Sequence, residues 1–367
     1  MTMRRRAFLI VFAVAFVVCG VTFSPAAAAS FDHKGLARLV LESHIRPGYE
    51  KLAAAADAFA AETKTYCEAA PGKPSQALRK AFRELVLAWA RIEHIHFGPV
   101  MDERRHARVF YWPDRKSLGK RQVRRALAKR DVRSLDRAAL AERSVALQGL
   151  GAAEYLLFGN GSDEFEQAGP ARDYRCGYLQ AVAANLSFIA KDVQSAWADD
   201  TAYVRTYLSP GPDNPAYLDE GEVTLEIAKA FLVGLERLRD IEIAGPLGLS
   251  RKTARRTRAA FEPSGLSSEF LAAKLEGMMT LYVAGGLLDR IEAHESLMGQ
   301  SILIELKQAL KHLNSVKGPV SSASEDKKAE DLFLASGFPL KNAREQTRRV
   351  LGEAAGLSLG FNALDGD

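Results

Sequence analysis

The sequence predicts an all-α fold made of two antiparallel helical bundles of about four helices each. Three observations carry this reading. Apolar residues recur at helical spacing nearly everywhere, and the period-two alternation of a half-buried strand is nearly absent. Proline and glycine clusters cut the pattern into segments of helical length. Those segments form two sets on either side of the proline-rich run at 209–215, and each set has about the four helices of an antiparallel bundle. The expected order is a leader over 1–29, a first bundle over 30–208, a linker over 209–221 and a second bundle over 222–367, with duplication as the simplest origin.

The elements follow in order. Arg4, Arg5 and Arg6 precede an apolar run at 7–18, and the small residues Ala26, Ala27, Ala28 and Ala29 follow. These are the three parts of an export signal, cleaved near Ala28 or Ala29, and the expected compartment is the periplasm. The apolar run falls short of the roughly 20 residues of a membrane span, and no later stretch reaches that length, so no transmembrane segment is expected in the mature chain. A long Ala-rich helix is expected over 36–65, bent at Pro47, and Pro71 to Pro74 break it. A second over 76–97 carries Phe82, Leu85, Trp89, Ile92 and His96 on one face and stops at Gly98-Pro99. A short helix over 122–129 comes next. The stretch 140–158 is apolar around most of its girth and so central, and 173–197 continues the pattern. In the second set, helices are expected over 222–243, over 267–313 with a break near Gly285-Gly286, and over 329–355 with an interruption near Gly337-Phe338-Pro339. A basic loop at 251–258 and a Ser- and charge-rich stretch at 317–328 lie between them.

The formal net charge of +5 includes the three leader arginines, so the mature chain is only weakly basic. Charge and compartment together argue against a nucleic-acid partner. Thirteen arginines and lysines fall within 104–137, which reads as a solvated face or as a surface for an anionic ligand or an envelope protein partner. Cys67 and Cys176 are the cysteines left after cleavage. In an oxidising compartment they are expected to form a disulfide, the alternative being two buried thiols.

Three residues stand out as a metal-ligand set. Glu93 and His96 lie three apart, which on a helix places a carboxylate and an imidazole on one side, as in the Glu-x-x-His element of bundle metal sites. Glu154 sits among Leu147, Leu150 and Phe158 at helical spacing, where a carboxylate is costly unless it is paired or metal-bound. The plain alternative is a core polar network, such as Glu154 with an arginine. The scattered histidines His33, His44, His294 and His312 suggest no site, and His94 reads as partly exposed. Tyr111-Trp112-Pro113-Asp114 places aromatics beside a carboxylate and reads as a pocket wall or a helix junction. Gly-x-Ser-x-Gly, His-Glu-x-x-His, Gly-rich phosphate loops and Cys-x-x-Cys are all absent from the sequence.

Several segments resemble the imelysin-like family. They are Ala88-Trp89-Ala90-Arg91-Ile92-Glu93 leading to Phe97-Gly98-Pro99, then Tyr111-Trp112-Pro113-Asp114, Gly119-Lys120-Arg121-Gln122, the run from Ala146 to Gly159, Leu275-Glu276-Gly277-Met278, and the closing Gly360-Phe361-Asn362-Ala363-Leu364-Asp365-Gly366-Asp367. The resemblance implies two helical bundles, export to the periplasm and an association with iron acquisition. The family's name comes from a supposed metallopeptidase activity. Its hallmark, Gly-x-His-x-x-Glu, falls on Gly149, Gly151 and Glu154, so glycine stands where the family has its histidine. The resemblance therefore implies a divergent member in which peptidase chemistry is weakened. Trp89, Trp112, Asp114, Gly149 and Gly151 are the expected pocket residues, and Glu93, His96 and Glu154 the expected ligands for iron or another divalent metal. The leading reading is a non-catalytic binding or accessory protein in iron or haem acquisition. The alternatives are a metallopeptidase and a ligand-free envelope interaction module.

Overall fold

Short polar side chains start the long helices. Ser75 accepts a hydrogen bond from the Leu78 N–H, Asp219 from those of Gly221 and Glu222, and Asp326 from that of Lys328. Each satisfies a backbone donor that the first helical turn leaves without a partner. The computed structural model describes residues 31–114, 116–247, 259–320 and 326–359. The expected export signal, the basic loop at 251–258 and the closing segment 360–367 lie outside the described residues, as does part of the 317–328 stretch.

The helices are α1 (His33–Val40), α2 (Arg46–Glu68), α3 (Gln76–Ile92), α4 (Arg105–Val109), α5 (Leu118–Lys129), α6 (Arg137–Ala141), α7 (Gly149–Phe158), α8 (Pro170–Ala196) and α9 (Ala202–Leu208) in the first half. The second half has α10 (Glu220–Glu236), α11 (Ala244–Leu247), α12 (Ser267–Val283), α13 (Leu287–His294), α14 (Met298–Asn314) and α15 (Lys327–Ala355). No strand occurs among the described residues, and the all-α expectation holds. No single helix among them is long and apolar enough to cross a membrane.

In the first half α2 packs between α3 and α8, and α7 packs on α8. Cys67 near the end of α2 is bonded to Cys176 in α8, with 5.6 Å between their Cα atoms. In the second half α14 packs on α15 and on α12, and α10 packs on α15. The halves meet where α12 lies along α3. At Gly277 a Cβ would overlap the backbone of Arg91, so glycine is what lets the two helices approach so closely. Arg91 and Glu276 pair at 2.8 Å along the same seam.

Several expected boundaries move. The helix expected over 36–65 changes hydrogen-bonding pattern at the π-helical turn Leu41–Ile45, and Pro47 follows directly in the first turn of α2. The helix expected over 76–97 stops at Ile92, because Glu93, His94 and Ile95 turn inward to the core. The central stretch 140–158 is broken into α6, a 3-10 turn at Val145–Leu147 and α7. The Ser144 side chain caps that turn, and Gly149 enters α7 at φ +79°. The break at Gly285-Gly286 is present, and a second follows at Leu297 (φ 68°). The interruption expected at Pro339 does not occur. Pro339 lies inside α15, where Phe333, Leu340 and Ala343 are buried on either side of it. That packing outweighs the lost backbone bond.

Candidate functional site

Glu154 is a carboxylate placed in the core by a short helix whose start is rigidly fixed. The Gln148 side chain donates to the carbonyl oxygens of Leu140 and Arg143 and accepts from Asn185 Nδ2 at 2.7 Å. Gly149 follows, and a Cβ there would overlap the carbonyl oxygens of Arg108 and Val109 at the end of α4. This corner aims α7, and one turn later Gly151 and Glu154 share a face. Glu154 is 8% exposed. Its Oε1 accepts two hydrogen bonds from Ser264, at 3.0 Å from the N–H and 2.7 Å from the hydroxyl. Its Oε2 has no partner among the described residues, and Glu154 forms no ion pair there. Burial pushes its pKa up to about 7, against the opposing pull of the Ser264 hydrogen bonds and the Lys120 charge.

Glu154 lines a cavity of about 90 Å³ together with Gly151, Trp112, Asp114, Lys120 and Phe261. A Cβ on Gly151 would meet no atom within 4 Å, so part of this space exists because residue 151 has no side chain. The aromatic wall is continuous, with the Phe110 ring stacked on Phe261 at 4.7 Å and parallel to Trp112 at 6.5 Å. Asp114 is engaged elsewhere, since its two oxygens accept from the Leu118 and Gly119 N–H groups at the start of α5. Outside the cavity a groove of about 380 Å³ is lined by Lys120, Arg121, Arg124, Tyr155 and Asn160. It shares Ser117, Lys120 and Pro263 with the inner space. Lys120, Arg121 and Arg124 are exposed and have no carboxylate partner among the described residues.

A second polar cluster lies at the seam between the halves. The Lys274 ammonium is ion-paired with Glu93 and, at 2.5 Å, with Glu242, and all three are buried. Arg237 stands 3.8 Å from Glu93. Lys274 and Arg237 hold the Glu93 carboxyl down at about 2 against the effect of burial, whereas burial raises that of Glu242. His44 and His94 face each other Nε2 to Nε2 at 2.9 Å, and burial depresses both. His44 lies in the π turn Leu41–Ile45, and Arg237 and Glu242 lie in a second π segment, Arg237–Ile243. Two departures from α geometry therefore deliver polar groups to one buried cluster.

The structure separates residues that the sequence reading grouped. Glu93 and His96 do not join Glu154 as a metal set, and no group of three His, Cys, Asp or Glu side chains among the described residues is placed to hold a metal ion. With α3 ending at Ile92, the three-residue spacing of Glu93 and His96 no longer aligns them, and Lys274 occupies Glu93. His96 is instead exposed beside His106, with ring centroids 4.3 Å apart. Trp89 is fully buried against His106 and lines neither cavity nor groove. Gly149 serves the approach of α4 to α7. Trp112, Asp114, Gly151 and Glu154 do line one cavity. His94 is buried rather than partly exposed, because it turns into the seam toward His44. The sequence reading passed over Ser264, Lys274 and Glu242. A lone lysine inside the apolar run Phe270 to Met278 is the signal that points to Lys274, since a charge there needs a buried partner.

The fold is shared with solved structures, among them the following two. An imelysin-like protein from Psychrobacter arcticum 273-4 superposes with a TM-score of 0.71 at 20% identity, over 90% of this chain and 97% of that one. A structure assigned as an iron-regulated protein A precursor from Parabacteroides distasonis ATCC 8503 superposes with a TM-score of 0.68 at 12% identity, over 88% and 97%. No curated protein matches the sequence. At these identities the structures speak to fold alone, but the imelysin family profile matches residues 45–343, most of the chain. With the all-helical fold and the Gly149–Glu154 corner in place, that match assigns the chain to the imelysin family.

Proposed function

We propose that this protein is an exported, periplasmic accessory protein of iron handling that binds a ligand without transforming it, and that the cavity at Glu154 is its binding site. The observation that carries the site is the Glu154 carboxylate, buried beside open space with one oxygen unpartnered among the described residues. A buried carboxylate is costly when it is not compensated, so one held open to a cavity points to a ligand that completes its bonding. The iron link draws on the family and on the neighbour named an iron-regulated protein A precursor. The residues of the cavity do not fit a bound iron ion, because Glu154 is its one carboxylate not already engaged by the protein. Haem does not fit the inner space either, since about 90 Å³ is well below the roughly 300 Å³ at which pockets for drug-sized ligands begin. The supported role is accessory, with a small non-metal ligand in the cavity.

Growth under iron limitation tests this. A strain lacking the protein is complemented with the natural chain, with Glu154→Ala or with Gly151→Leu, and the amount of each protein in the periplasm is measured. The expected outcome is that both variants accumulate normally and fail to restore growth. Full restoration by both would remove the cavity from the function.

A further inference from the structure

We infer that the cavity and the groove outside it take one small zwitterionic ligand, with its ammonium group against Glu154 and its carboxylate or other anionic group at Lys120, Arg121 and Arg124. The inference rests on the reading of the Glu154 cavity as the binding site and adds the chemical class of the occupant.

Four observations lead to it. Glu154 Oε1 is satisfied by Ser264, while Oε2 has no partner among the described residues, so in the ionised carboxylate it is a free hydrogen-bond acceptor. The walls beside it include Phe110, Trp112 and Phe261, which offer apolar surface to an alkyl stem. The inner space of about 90 Å³, which includes the empty position over Gly151, has room for an ammonium group and a short alkyl stem. The groove that shares Ser117, Lys120 and Pro263 with this space carries Lys120, Arg121 and Arg124, none with a carboxylate partner among the described residues. An anion alone would leave the acceptor at Glu154 unused, and a cation alone would leave the three basic side chains unused. A ligand with one charge of each sign uses both ends.

Calorimetric titration of the mature protein tests the inference, with 4-aminobutyrate, n-butylamine, butyrate, 6-aminohexanoate and triglycine as probes. The expected order is that at least one zwitterion binds about tenfold more tightly than butylamine, and that butyrate does not bind. The two amino acids and triglycine differ in the separation of their charges, and their ranking distinguishes a free amino acid from a short peptide. Glu154→Gln is expected to weaken zwitterion and amine binding alike by about tenfold or more. Arg121→Ala combined with Arg124→Ala, which line the groove and not the inner cavity, should weaken zwitterion binding and leave butylamine unaffected. Gly151→Leu should abolish both, with unfolding midpoints confirming that the variants fold. Butyrate binding as tightly as the zwitterions, zwitterion binding unchanged by Gly151→Leu, or no binding by any zwitterion would each overturn the ligand class. Iron-limited growth separates the two claims. Growth that depends on the cavity while no zwitterion binds leaves the site and removes the ligand class. Zwitterion binding with growth indifferent to the cavity leaves the ligand class and removes the iron-linked role.

Discussion

Glu154 carries a proton at a pH where most carboxyl groups have lost theirs. Burial raises its folded pKa to about 7 from an ordinary value of 4.5, while the charge of Lys120 eases its ionisation and that of Glu262 opposes it. Because the folded pKa lies above the unfolded one, the protonated group's contribution to stability is complete below about pH 4.5 and is lost as the pH rises through about 7. Glu154→Gln keeps an oxygen for Ser264 and removes the titration. Urea unfolding should therefore show the variant gaining on the natural protein by about 3 kcal/mol between pH 5 and pH 8. A difference independent of pH would mean that Glu154 stays ionised throughout. The sequence pointed to Glu154 because a lone carboxylate among leucines is legible as a buried charge. Its partner was not legible, since Ser264 comes from a turn 110 residues away in the chain. Glu93 was likewise legible as a special position, yet its partner Lys274 sits across the seam between halves, where spacing on one helix says nothing.

At the scale of the element, the close approach of α3 and α12 depends on one missing side chain. Gly277→Ala adds a methyl group that must displace the Arg91 backbone. Helix propensity alone would reward alanine by about 1 kcal/mol, whereas overpacking a close contact costs about 1–3 kcal/mol. The expected result is a net loss, read as a lower unfolding midpoint in denaturant. A variant more stable than the natural chain would show that the seam yields freely. Most helices were legible in the sequence because periodicity reports which face is buried. Their ends were less so, since an end depends on what the chain turns toward. Glu93 turns into a buried ion-pair cluster and cuts α3 short. Pro339, a strong local stop signal, is overridden by the buried residues on both sides of it.

For the whole molecule, the bond between Cys67 and Cys176 closes a loop of 109 residues that contains all of α3 to α7. Reduction should destabilise the folded chain by about 2–4 kcal/mol through the greater freedom of the unfolded state. Comparing unfolding with and without a thiol reductant measures this, and an unchanged midpoint would assign the bond no role in stability. The two π segments set a different kind of constraint. Each is wound more loosely than an α-helix, and an α-helix turns about 100° per residue. A π turn holds one residue more than an α turn, so loss of a single codon within residues 41–45 would let it close to an α turn with α1 keeping its face to the core, and the extra residue that places His44 would be gone. Leu36 and Val40 would stay buried and His33 would keep Thr224, to which it is bonded at 2.9 Å, while His44 would lose its place opposite His94. Gene copies of this protein are therefore expected to tolerate insertions and deletions in the surface turn at 209–219 while keeping the lengths of these two segments fixed, so that chain length becomes a heritable marker of the buried cluster.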